Sequence, residues 1–185
     1  MAMEIFALVT GVLFLLFEIK QNNLMWLLQA IAGVASVIVF YNQGLYASMG
    51  LNVYYVLVAV FGYISWKRDE DKTENIHLRR LTPPVVMWSL LALAAGTAAF
   101  IWLLRILGDS MSGMDAFVTV LSVIATWWLA RSYKEQWLLW IFADIFYVIM
   151  CAMQGMWWMT ALYVFYTVSA VYGFVHWKSE GGYVE

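Results

Sequence analysis

The sequence predicts an all-α integral membrane protein of seven transmembrane helices, arranged as two three-helix repeats around one linking helix (3+1+3). Composition, the spacing of apolar stretches and an internal duplication predict it together. Hydrophobic residues make up 64% of the 185 residues and charged residues 12%, against about 25% charged in a soluble domain. The charges fall in short clusters between apolar stretches of about 20 residues, the length that crosses a hydrocarbon core as helix. Sliding Glu4–Lys67 onto Asp115–Lys178 without a gap makes 19 of 64 positions identical, an offset of 111 residues. Matches include Trp26/Trp137, Gln43/Gln154, Gly44/Gly155, Tyr55/Tyr166, Gly62/Gly173, Trp66/Trp177 and Lys67/Lys178. Apolar composition raises chance identity, but it does not place Gln-Gly, Tyr, Gly and Trp-Lys in one register.

The first predicted span, Glu4–Ile19, opens on a carboxylate that suits a helix N-terminus and closes before Lys20. Its Glu18 lies beside Lys20 and is expected to reach the interface. The second is Leu24–Tyr41. The third, Ala47–Trp66, ends in Trp-Lys, a pattern expected to anchor at the membrane surface. The linker Lys67–Thr82 mixes both signs of charge and reads as a solvated loop, and Pro83-Pro84 then set the start of span four, Val85–Leu107. Span five, Ala116–Ala130, follows Asp115; span six is Gln136–Met153; span seven, Trp157–Trp177, again ends in Trp-Lys. Six crossings is the alternative count, if the short first or fifth span fails to cross. The organisation is a first repeat at 1–67, a loop plus linking helix at 68–112, and a second repeat at 113–185.

An odd three-helix unit regains its orientation only after one extra crossing, so the two copies are expected to be parallel repeats, as in several transporter folds. Nine of the ten basic residues fall on one side of this arrangement: Lys20, Lys67, Arg68, Lys72, Arg79, Arg80, Arg131, Lys134 and Lys178, with Arg105 opposite. The positive-inside rule then places the C-terminus in the cytoplasm and the N-terminus outside. The first span lacks a basic n-region, so no cleavable signal peptide is expected. The single cysteine, Cys151, excludes an intrachain disulfide and a multi-cysteine metal site. No cofactor, metal or nucleic-acid partner is expected.

Chemistry must come from polar groups at membrane depth. In span six, Trp137, Trp140, Asp144 and Tyr147 are spaced three, four, three and share a helical face. Their repeat equivalents in span two are Trp26, Gln29, Gly33 and Ser36. Asp144 sits mid-span, where a carboxylate is costly and is expected to face a cavity or the bundle interior. The alternative is a structural partner for a Tyr, a Trp or a backbone group. Spans three and seven carry matching stripes, Asn52, Tyr55, Ala59, Gly62, Trp66 and Tyr163, Tyr166, Ala170, Gly173, Trp177, whose small residues suit close helix approach. Many of the 33 aromatic residues (11 Trp, 11 Tyr, 11 Phe) belong to interface belts or lipid-facing surfaces, Trp157 and Trp158 among them. Those on the polar faces, with one carboxylate, suit a flat organic cation through stacking, cation–π attraction and charge pairing.

The second half, Trp137-Leu-Leu-Trp-Ile-Phe-Ala-Asp144 through Gln154-Gly-Met-Trp-Trp-Met-Thr-Ala-Leu-Tyr-Val-Phe-Tyr166 to Gly173-Phe-Val-His-Trp177, resembles the PnuC family of bacterial vitamin transporters. The stretch Asn52-x-x-Tyr55…Gly62-Tyr-x-x-Trp66 resembles that family's companion motif. The resemblance covers nearly the whole chain. It implies a SWEET-like fold in the bacterial inner membrane and facilitated diffusion of a vitamin precursor, nicotinamide riboside first and thiamine (the PnuT branch) second. It also implies trapping by a cytoplasmic kinase and assembly as a homotrimer. The residues expected to bind substrate are Trp140, Tyr147, Tyr55 and Tyr166 around the ring, Asp144 and Asn52 on its charged or ribosyl end, and Tyr163 and Gln29 beside them. The substrate is expected near mid-bilayer between spans two, three, six and seven, with the two bundles rocking about it.

Two other classes fit less well. A membrane enzyme needs clustered carboxylates, a histidine pair or a nucleophile, and His77 and His176 lie far apart in the sequence. A non-transporting receptor gives no reason for the duplication or the polar mid-span faces. A sugar or nucleoside facilitator of the same fold is the nearer rival, and Asp144 argues against it.

Overall fold

A computed structural model describes residues 12–42, 46–70, 76–106 and 113–184. Seven helices run through them: α1 (residues 12–19), α2 (Leu24–Asn42), α3 (Tyr46–Glu70), α4 (Pro83–Ile106), α5 (Gly113–Ala130), α6 (Gln136–Met153) and α7 (Trp157–Glu180). Two three-residue strands, β1 (Ile76–Leu78) and β2 (Gly181–Tyr183), complete them. Five helices, α2, α3, α4, α6 and α7, are long and apolar enough to cross a membrane by length and composition; α5 holds a shorter apolar stretch, Ala116–Ala130. The start of the first span with Glu4, the Gln43-Gly44 pair, Lys72, Leu107 and the side chain of Asp115 lie outside the described residues.

The helix ends follow local chemistry. Pro83 opens α4, where its missing N–H costs no helix bond. After α6 the chain turns through Gly155 at φ +71. The Met156 amide donates to the Cys151 carbonyl at 2.9 Å and the Gly155 amide to Ala152 at 3.1 Å. This is a Schellman stop, and it needs the left-handed residue that glycine supplies without strain.

The chain divides into two compact units. The first holds the chain through Arg79 together with Ala130–Ser132 and His176 onward; the second holds Arg80–Leu129 and Tyr133–Val175. Within the first, α2 and α3 pack closely because two glycines make room. A Cβ at Gly33 would lie 2.6 Å from Val56 Cγ2, and one at Gly62 would lie 2.5 Å from the Trp26 indole. The second unit repeats the second device: a Cβ at Gly173 of α7 would come within 2.7 Å of the Trp137 indole of α6. Its core gathers Val118, Leu121 and Ala143 with Phe117, Phe146 and Tyr147, and a second cluster of Ile124, Trp128 and Tyr133 against Leu81, Val85 and Val86. Trp128 Nε1 donates to Ser89 Oγ at 3.0 Å, tying α5 to α4.

Three expectations change. The linker is not a solvated loop along its whole length. Its second part forms β1, which pairs in parallel with β2 in the register Ile76–Gly181, His77–Gly182, Leu78–Tyr183, and both His77 and Leu78 are buried. The fold is therefore helical with one small sheet, because a buried linker must satisfy its backbone groups somewhere. Trp66 and Trp177 are not interface anchors: both are 0% exposed. Glu18 is likewise buried and does not reach outward. Gly62 and Gly173 do admit the close approach of a neighbouring helix, each as the seat of an indole. Trp157 and Trp158 do behave as surface residues, the latter 91% exposed.

Candidate functional site

Each unit carries its share of the eight predicted site residues. In the second unit, α6 presents Trp140, Asp144 and Tyr147 at successive turns, and α7 presents Tyr163 and Tyr166. The structure brings most of these together. Tyr147 and Tyr163 stack nearly parallel, with centroids 4.6 Å apart and planes 14° off, and Tyr166 meets Tyr163 edge-on at 6.1 Å. Offset and edge-on ring contacts of this kind fix aromatic geometry. Thr167 Oγ1 donates to the Tyr163 carbonyl at 2.8 Å, so the polar group nearest in sequence is turned onto its own helix.

Asp144, one turn before Tyr147 on α6, is buried at 7% exposed. No hydrogen bond or ion pair to its carboxylate is formed by the described residues. A carboxylate at this depth is costly to bury.

In the first unit, Gln29 on α2 and Asn52 and Tyr55 on α3 are half-buried. Asn52 and Tyr55 are one turn apart, and Tyr55 meets Tyr54 at 5.5 Å. Gln29 Oε1 is shielded from solvent and accepts no hydrogen bond, and Trp140 Nε1 is shielded and donates none. The two residues occupy equivalent positions, 111 apart. At one position in each repeat, then, a polar atom is held for a partner the described residues do not provide. Trp137, grouped with Trp140 by helical spacing, belongs instead to the α6–α7 packing on Gly173.

One group of residues was missed by sequence reasoning. Gln21 and Ser132 are both left-handed, φ +51 and +59, and they too are 111 apart. Gln21 brackets the His77 backbone, donating from Nε2 to the carbonyl at 2.9 Å and accepting the amide at Oε1 at 2.8 Å. Ser132 accepts the Arg79 amide at 3.0 Å. The repeat offset was the available signal, but Gln and Ser differ in type and the pair does not stand out in an alignment.

A family model described as nicotinamide mononucleotide transporter matches residues 1–179. The chain belongs to this family. It is 30% identical to the nicotinamide riboside transporter PnuC of Neisseria mucosa, with 92% of this chain and 70% of that relative covered. It is 25% identical to the riboflavin/roseoflavin transporter RibM of Streptomyces davaonensis, with 91% and 81% covered. A crystal structure of the vitamin B3 transporter PnuC is similar with a TM-score of 0.66 at 27% identity, over 92% of this chain and 78% of that one. With five helices able to span a bilayer, the chain is a multi-pass member of a transporter family.

Proposed function

We propose that this protein is a facilitative carrier for nicotinamide riboside, and that Asp144 with Tyr147, Tyr163, Tyr166 and Trp140 receives its pyridinium ring. The carrying observation is the buried Asp144 carboxylate, to which the described residues give no hydrogen bond, one turn from the stacked Tyr147. A flat ring with a fixed positive charge satisfies both features at once, through stacking and charge pairing. The relatives named for nicotinamide riboside and vitamin B3 support the same substrate. Gln29, Asn52 and Tyr55 are proposed to supply polar and aromatic contacts to it from the first repeat.

The riboside is favoured over its phosphorylated form. None of the eight site residues is Lys or Arg, and a phosphate dianion brought to a buried carboxylate without a cation meets both repulsion and desolvation. Phosphorylation by a cytoplasmic kinase would then trap the vitamin. Thiamine is the second reading, because its thiazolium ring offers the same flat cation. Riboflavin, carried by one relative by name, brings no fixed charge for Asp144.

The same reading takes the fold as a 3+1+3 parallel repeat with the N-terminus outside. The equivalent Trp–Gly seats at Trp26/Gly62 and Trp137/Gly173 and the equivalent left-handed turns at Gln21 and Ser132 support the repeat, and the one-sided basic residues support the orientation. Titration of tryptophan fluorescence with nicotinamide riboside, its mononucleotide, thiamine and riboflavin tests the substrate. Saturable quenching by the riboside, lost in Asp144→Ala, is expected; equal response to the mononucleotide would sink the assignment of Asp144.

A further inference from the structure

The first unit contains a built cluster that substrate binding does not use. Trp66 sits at its centre, edge-on to Trp26 at 5.0 Å, to His77 at 5.8 Å and to Trp177 at 6.1 Å. Trp177 Nε1 donates to the Ile19 carbonyl at 2.9 Å, joining the end of α7 to the end of α1. Asp69, 0% exposed, accepts Arg79 Nε at 3.1 Å and Arg79 Nη2 at 2.5 Å. The β1 segment is held by the equivalent turns of both repeats, by the Gln21 side chain at His77 and by the Ser132 carbonyl at Arg79. The strand β2 lies along β1, and the Val184 amide donates to the Leu78 carbonyl at 2.9 Å. Gly181 is required there, since a Cβ would strike Leu78 and the Trp177 carbonyl. The Arg131 guanidinium stands over the Phe61 ring at 5.7 Å, a further contact between α3 of the first repeat and the α5–α6 turn of the second.

We propose that this clasp is a permanent pivot: a fixed point joining the two repeats through the linker strand, about which they move during transport without its contacts breaking. Two arrangements would suit a carrier, a latch that opens in each cycle or a hinge that stays closed. A latch is drawn from segments of low local stability, with exposed hydrogen bonds and few buried contacts. Here Trp66, Trp177 and Asp69 are fully buried, Arg79 is half-buried over the Asp69 carboxylate, and the strand residues are paired. Opening the cluster would strand Asp69 and unpair the strand at every turnover. Arg79 and Ser132 are bonded to each other within the clasp, and a hinge made of a few element-terminal residues lets helices tilt with small backbone changes.

Two measurements test this, and only the second rests on the transport reading. In protein reconstituted in nanodiscs, the amides of His77, Leu78 and Arg79 should exchange with deuterium no faster than those in the interior of α6; exchange as fast as exposed loop amides would overturn the pivot. In a Cys151→Ala background, Phe61→Cys and Arg131→Cys are bridged by a short bis-thiosulfonate reagent. Bridged protein should carry nicotinamide riboside into liposomes at a rate within about twofold of the unbridged protein. A loss of about tenfold or more, restored by reductant, identifies a latch and overturns the proposal. Unbridged protein that carries no riboside would count against the transport reading, and amide exchange then decides the pivot alone.

Discussion

Trp66 and Trp177 occupy the same place in the two repeats, 111 residues apart, and their rings meet edge-on at 6.1 Å and 63°. Two helix ends that looked like surface anchors are thereby fastened to each other. Trp66→Phe should lower the melting temperature, because a buried indole is lost at the centre of three aromatic contacts, and leave the riboside affinity unchanged. Thermal unfolding and fluorescence titration on one preparation separate the two effects.

Asp144→Asn should keep the fold and weaken riboside binding. A hydrogen bond to a charged group contributes about 1.5–3 kcal/mol, which corresponds to a loss of roughly ten- to a hundredfold. Unchanged affinity in a well-folded variant would remove Asp144 from the site.

The stack of Tyr147 on Tyr163 leads to a different pattern. Tyr147→Phe retains a ring and should bind within a few-fold of the parent, whereas Tyr147→Ala loses about 0.5–1.5 kcal/mol of ring contact beyond the buried area. Calorimetric titration of both variants is the check. Equal loss in both would assign the role to the hydroxyl and not to the ring.

Gly173→Ala places a methyl group against the Trp137 indole. Overpacking of this kind costs about 1–3 kcal/mol, and Gly62→Ala should behave alike against Trp26. A double variant with Trp137→Phe should recover part of the lost melting temperature; no recovery would show that the indole is not what the methyl group meets.

Removing the buried partner of an ion pair also costs stability. Asp69→Ala leaves the half-buried Arg79 without its carboxylate and should cost about 1–3 kcal/mol. Urea or thermal unfolding in detergent would read it, and a change within experimental error would mean that Arg79 reaches water in the variant.

The helices were legible because length and apolarity are properties of a single segment: the ends read for spans six and seven lie within three residues of α6 and α7. The shared helical face of Trp140, Asp144 and Tyr147 was legible for the same reason, from spacing alone. The clasp was not. Trp66 and Trp177 each precede a lysine, which is how an interface anchor reads, and only the third dimension brings Ile19, His77 and Asp69 around them. The strand β1 was hidden because its partner lies far along the chain, and a three-residue segment carries no periodicity by which to find it.

The pairing of β1 with β2 also sets an order of assembly. Ile76 is paired with Gly181, so at a synthesis rate of about 5–20 residues per second its partner emerges roughly 5–20 s later. During that interval α4, α6 and α7, each long and apolar enough to span a bilayer, are made while β1 waits without its partner. The linker strand is therefore completed only by a segment that follows α7, and an intermediate halted before α7 would display an open strand edge to any chaperone or protease beside it.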